Sequence, residues 1–151
     1  MKRSLTLFAA LLGFLVMTQA PAQAHNTEDW YWSTTTPTHD NSRDSRSNYR
    51  GATQKTKIYW ERNSVAVRSS VSDDKPDGYC AIAQIRYEIY DDGVGWSGHW
   101  HYRAPVVDCS TDGRSAVSKY AYGKPGMRHL SARACLGSAD GVISTCESTW
   151  H

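Results

Sequence analysis

The sequence predicts an all-β fold: a small antiparallel β-sandwich, Ig-like, with two disulfides and a disordered N-terminal arm. Three observations lead there. Alternating apolar and polar runs recur about every ten residues, separated by turns bearing Gly, Asp or Pro. No stretch beyond the first two dozen residues carries helical periodicity. The four cysteines, Cys80, Cys109, Cys135 and Cys146, follow an export signal. A small β-barrel is the alternative architecture.

The chain opens with Lys2-Arg3, an apolar run from Leu5 to Met17, and Ala22-Gln23-Ala24. A basic start, a short apolar core and a small-residue site predict a signal peptide over residues 1–24 and a secreted, extracellular product. The apolar run is short for a membrane span and no second one follows. Lys2 and Arg3 leave with the signal, which turns 17 basic against 15 acidic side chains into 15 against 15. The isoelectric point near 8.4 therefore describes the precursor. A neutral mature protein gives no electrostatic case for nucleic acid or an anionic membrane as partner.

Residues 25–55 are rich in Ser, Thr, Asn, Asp and Arg, and from Ser33 to Lys55 the only large apolar side chain is Tyr49. Such a segment buries too little apolar surface to offset its ordering entropy, so a flexible polar arm is expected. Trp30-Tyr31-Trp32 is its exception. These rings either fold back onto the domain or anchor a partner. Arg43, Arg46 and Arg50 read as solvated. The folded domain is expected over residues 56–151.

Within it, Lys57-Ile58-Tyr59-Trp60 predicts a short strand and Ser64 to Val71 a clearer one, before a turn at Asp73 to Gly78. The central hairpin follows, Cys80 to Tyr90 and Val94 to Arg103. Asp92-Gly93 between them signals a tight type I′ turn. That turn pairs Ile89 with Trp96, Ile85 with Trp100 and Ala83 with Tyr102 on an apolar face. Arg86 then faces His99, and Gln84 faces His101, on a polar one. Pro105 is expected to end the second strand, having no amide for the ladder. Ser115 to Tyr122 alternates loosely. Leu130, Ala132, Ala134 and Leu136 then share a face, and Val142 to Trp150 returns after a turn. The total is about six or seven short strands, without internal repeat.

The even cysteine count in an exported protein predicts two disulfides, with three possible connectivities. Cys109 falls just past the strand end opposite Cys80, and Cys135 and Cys146 flank a Gly-Ser-Ala-Asp-Gly turn. Cys80–Cys109 and Cys135–Cys146 is the expected pairing.

Ala132-Arg133-Ala134-Cys135, a loop, and Cys146-Glu147-Ser148-Thr149-Trp150 resemble the close of small secreted two-disulfide β-proteins of actinobacteria. The resemblance covers roughly the final third of the sequence. In layout, a compact β-domain behind an extended N-terminal segment, the protein also resembles the adaptor subunits of actinobacterial umbrella toxin particles. That resemblance implies a role as adaptor to another secreted protein.

Chemistry is harder to find. His99 and His101 point to one side of a strand, and His129 is a third candidate metal ligand. Arg86, expected opposite His99, would repel a cation, and a site needs three or four ligands. Ser97 lies in mid-strand, about 7 Å from the next side chain on its face, too far for proton transfer to His99. Glu88, Arg86 and His99 make a ribonuclease-like set on the polar face, but no basic aromatic groove accompanies them. No phosphate loop occurs, and Asn26, Asn41, Asn48 and Asn63 all lack a glycosylation sequon. No cofactor is expected. The sequence thus favours a secreted, non-catalytic protein-interaction domain. The alternatives are an inhibitor of an extracellular hydrolase and a small ribonuclease-like enzyme.

Overall fold

The computed structural model describes residues 29–151. The expected signal peptide lies outside the described residues. Eleven strands follow in order: β1 (Trp30–Ser33), β2 (Asn41–Tyr49), β3 (Ala52–Glu61), β4 (Ser64–Asp73), β5 (Cys80–Asp91) and β6 (Gly95–Trp96), then β7 (His101–Asp108), β8 (Ala116–Val117), β9 (Tyr120–Gly123), β10 (Gly126–Gly137) and β11 (Ile143–Cys146). They form two antiparallel sheets, with no helix among the described residues. One sheet runs β1-β9-β4-β3-β2, with β8 also on β4. The other runs β11-β10-β5-β6, with β7 also on β5. The all-β, sandwich-like class is as the sequence predicts, with more strands than expected.

The described part of the expected arm is not free. Residues 30–33, 41–49 and 52–55 are all strand, so the folded unit begins near Trp30 rather than residue 56. β2 pairs along its whole length with β3, from Asn41 opposite Trp60 to Tyr49 opposite Ala52. Arg50-Gly51, with φ of 53° and 101°, makes the tight turn between them. Composition misleads here because this part of the core is polar. Ser45, Gln54, Thr56 and Ser69 are all buried. Gln54 Nε2 donates to Ser45 Oγ at 3.2 Å, Thr56 Oγ1 to Gln54 Oε1 at 2.9 Å, and the Thr56 and Ser69 hydroxyls lie 2.9 Å apart. Paired with one another, these groups avoid most of the cost of burial.

That polar belt separates two apolar clusters. One contains Trp30, Ile58, Val67, Ile85, Tyr87, Met127 and Leu130; the other contains Ala52, Val71, Ala81, Ala83, Ala134 and Leu136. Along β2, alternate side chains reach the backbone of β10. Arg43 donates to the Leu130 carbonyl, Ser45 Oγ to the Ala132 carbonyl at 3.5 Å, and the Ala134 amide donates to Ser47 Oγ at 3.0 Å. The period of two in both strands makes this a seam, closing one side of the sandwich.

The central hairpin departs from its expected register. Asp91 pairs with Gly95, so the loop is Asp92-Gly93-Val94, and the ladder lapses after Trp96. It resumes with Tyr87 opposite His101 and Ile85 opposite Arg103, three residues beyond the Trp100 expected there. An odd shift exchanges the faces of the second strand. His101 therefore turns into the core at 5% exposure, and Tyr102 turns out at 48%. Pro105 does not end β7. It sits where the register slips between Ala83 and Ile85, at a bulge that has no ladder bond for its missing amide to forfeit.

Both disulfides have the expected partners. Cys135 stands directly opposite Cys146. Cys80 bonds Cys109, the next pair after Ala81 opposite Asp108. No helix among the described residues is long and apolar enough to cross a membrane.

Candidate functional site

Alternation in β5 turns Ile85 and Tyr87 inward and sends Gln84, Arg86 and Glu88 to the outer face of the five-stranded sheet. β10 adds Arg128 and Arg133 to that face, being paired with β5 through Arg128 opposite Glu88 and Arg133 opposite Gln84. The segment after the hairpin turn brings Trp96 and Trp100, and the last residues bring Trp150. Backbone bonds between His151 and Ala132, 3.0 Å in each direction, fix that end against β10.

Cations and rings alternate across the face. The Arg128 guanidinium lies 4.3 Å from the centre of the Trp96 ring, and Tyr90 meets the same ring edge-on at 5.3 Å. Arg86 lies between Trp100 at 4.4 Å and Trp150 at 4.6 Å. Arg133 covers Trp150 at 4.2 Å, with Tyr102 at 5.9 Å on that indole. Significant cation–π contacts occur about once per 70–80 residues, so four on one sheet face form a concentrated array. The Nε of Arg86 is buried and donates no hydrogen bond among the described residues, which leaves the two rings as its main stabilising contacts.

Glu88 is the acidic member of the face. It accepts from Arg128 Nε at 2.8 Å and Nη2 at 2.6 Å, and His129 Nδ1 lies 3.4 Å away. The Arg128 hydrogen bonds, foremost, hold its carboxyl below the usual range, with His129 adding to them. His129 has φ of 55° and stands where the β10–β5 ladder breaks between Arg128 and Ser131.

Of the aromatic triplet, Trp30 is in the core at 3% exposure, edge-on to Tyr87 at 5.1 Å. Tyr31 stacks on Tyr122 at 5.1 Å, and Trp32 lies under the Arg103 guanidinium at 5.4 Å. Both remain largely exposed on β1, which pairs with β9 at the sheet edge. Beneath β1, Tyr87 donates to Asp29 at 3.0 Å and His101 lies 3.6 Å from the same carboxylate. Burial raises the Tyr87 phenol well above its ordinary pKa.

The other sequence candidates are dispersed. His99 and His101 stack at 4.7 Å, while His129 stands beside Glu88. Among the described residues no group of three or more His, Cys, Asp or Glu is placed to hold a metal. Ser97 Oγ donates to the His99 carbonyl, not its ring, at 3.1 Å. Of Glu88, Arg86 and His99, each is engaged with different partners: Arg128, two indoles and His101. Sequence reasoning misses the array because the expected register sends Trp96 and Trp100 inward. The available signal is three Trp residues near a strand with Arg at 128 and 133.

Comparison with family models, characterised proteins and solved structures returned no match. The fold and the face define a class only: a disulfide-bonded, two-sheet β-domain with an ordered Trp–Arg surface.

Proposed function

We propose that the protein is a secreted, non-catalytic interaction domain that binds another extracellular protein through the outer face of its five-stranded sheet. The observation that carries this is the array of Arg86, Arg128 and Arg133 among Trp96, Trp100 and Trp150. Trp, Tyr and Arg are the side chains that dominate binding energy at protein interfaces. Stacking holds them in place beforehand, which lowers the entropy cost of docking. Two disulfides suit an oxidising extracellular compartment. An adaptor within a secreted toxin assembly is the concrete form of this function. It rests on the Trp–Arg face and not on the expected layout, because residues 30–33, 41–49 and 52–55 are strands of the sandwich. Trp30 is withdrawn as a partner anchor because it is buried, whereas Tyr31 and Trp32 keep exposed area at an edge.

A second reading, inhibition of an extracellular hydrolase, is favoured by one loop. Beside Cys109, Ser110 Oγ donates to Asp108 at 2.8 Å and the Arg114 amide to Asp112 at 2.9 Å, bracing an exposed turn. The test is capture from culture supernatant with three baits: the native protein, Trp96→Ala/Trp150→Ala, and Thr111→Ala/Arg114→Ala. A partner lost only with the Trp variant supports the adaptor. Loss only with the loop variant supports the inhibitor.

A further inference from the structure

A cleft of about 310 Å³ separates the β3–β4 turn from β10. The Met127 amide donates to the Asn63 carbonyl at 2.9 Å and fixes the turn against β10. Ile58, Val65, Met127 and Leu130 make the floor of the cleft. Arg43, Arg62, Arg128 and His129 stand around it, and no carboxylate lines it. Glu88 compensates Arg128, which still leaves Arg43 and Arg62 to make the cleft positive.

The backbone singles out the same place. Among the described residues, the non-glycine positions with positive φ are Arg50, Arg62 and His129, and two of these line the cleft. Arg62 belongs to a tight hairpin turn, between Glu61 and its partner Ser64. His129 does not. It adopts this conformation in mid-strand, at an irregularity of the kind that re-aims a side chain beside a site.

We propose that this cleft binds a small amphiphilic anion, a carboxylate carried on an apolar stem. Arg43, Arg62 and His129 face the carboxylate, and the aliphatic floor, walled by Trp60, takes the stem. Guanidinium forks suit carboxylates, a cationic rim disfavours amines, and an apolar floor favours an anion that carries an apolar stem. The volume is at the low end for small-molecule sites, so the stem is short. The inference does not rest on the Trp–Arg face, although Arg128 borders both: a domain could hold this ligand with no protein partner.

The test uses protein purified from the medium of an exporting host and follows backbone amide resonances during titration. The probes are octanoate, N-acetyl-leucine as a mimic of a peptide's terminal carboxylate, and octylamine as the cationic control. Saturable shifts are expected at Arg62, Asn63 and His129 with a carboxylate and none with octylamine. The tighter of the two carboxylates tells a free acid from a peptide terminus as source. Arg62→Asn, which tolerates the positive φ, should weaken binding about tenfold without changing the melting temperature. Should that variant misfold, Arg43→Gln should weaken binding to a similar extent, with a lower melting temperature because its bond to the Leu130 carbonyl is lost. Equal binding of octylamine, shifts confined to other surfaces, no saturation by either carboxylate, or unchanged affinity in the variants would each overturn the proposal.

Discussion

The Arg86 guanidinium lies 4.4 Å from the centre of the Trp100 ring, on the outer face of the sheet rather than in the core. Trp100 is therefore a half-exposed partner of a cation, while Ile85, on the opposite face of β5, is 1% exposed. Trp100→Ala should cost about 0.5–2 kcal/mol, the scale of a cation–π contact. Ile85→Ala should cost about 2–5 kcal/mol, the scale of a core truncation. Urea unfolding of the two variants separates the faces. A Trp100→Ala loss as large as that of Ile85→Ala would put the ring back in the core.

The sequence is legible where a strand alternates cleanly. β4, β5 and β10 fall where their apolar periods put them, and the cysteine pairing follows from strand ends and a turn. It is illegible where the structure spends polar side chains inside. β2 carries one fully buried side chain, Ser45, and its partners Gln54 and Thr56 are polar too, so composition reads as disorder. The hairpin register fails for another reason. Asp92-Gly93 does mark the turn, but residues 97–100 leave the ladder, and nothing local announces such an excursion. The extra turn residue, Val94, makes the total shift odd, since the excursion adds an even two; that sends His101 inward and the tryptophans outward, which hides the candidate site.

The polar belt should behave as one unit. Thr56→Val removes a hydroxyl between Gln54 Oε1 and Ser69 Oγ, both 2.9 Å away, and leaves each short of a partner. The expected cost is about 1–3 kcal/mol. Ser69→Ala on its own should cost less, since Thr56 keeps Gln54. In the double variant the losses should fall short of their sum by at least about 0.5 kcal/mol. Strict additivity in chemical denaturation would show that the hydroxyls do not share a network.

The two disulfides should differ in worth. They close segments with sequence separations of 29 and 11. Loop-closure entropy gives about 3.6 and about 2.8 kcal/mol for loops of those lengths. Replacing Cys80 and Cys109 by Ser should thus destabilise more than replacing Cys135 and Cys146. Peptide mapping without reductant should return the same two linked pairs. A Cys80–Cys135 or Cys80–Cys146 link would contradict the topology of both sheets.

Glu88 gives the fold a pH dependence of known sign. Its folded carboxyl is held below the ordinary value of 4.5, first by the hydrogen bonds from Arg128. A depressed acid contributes stability that is present above its unfolded pKa and disappears as pH falls through the folded one. Stability should therefore decline below about pH 4.5 through this group. Arg128→Met should bring the Glu88 titration, followed by carboxyl carbon shifts, back toward the ordinary value. A midpoint unmoved by the substitution would assign the depression to another partner.

The final prediction concerns the triplet at the start of β1, where stability and binding can be told apart. Trp30 is a core ring against Tyr87, so Trp30→Ala should cost about 3–5 kcal/mol. Tyr31 and Trp32 rest on Tyr122 and Arg103 from outside, and replacing both by Ala should cost under about 2 kcal/mol. Deleting residues 29–33 should lower the melting temperature by several degrees, since β9 loses one of its two neighbours and Tyr87 loses both Trp30 and Asp29. Partner capture is the second readout. If the Trp–Arg face binds the partner, Tyr31→Ala/Trp32→Ala should capture it as well as the native protein, and Trp96→Ala/Trp150→Ala should not. The opposite pattern, capture lost with Tyr31 and Trp32 but kept without Trp96 and Trp150, would move the interface to the edge strand. There a partner strand would add beside β1 through backbone hydrogen bonds, with those two rings as its anchors.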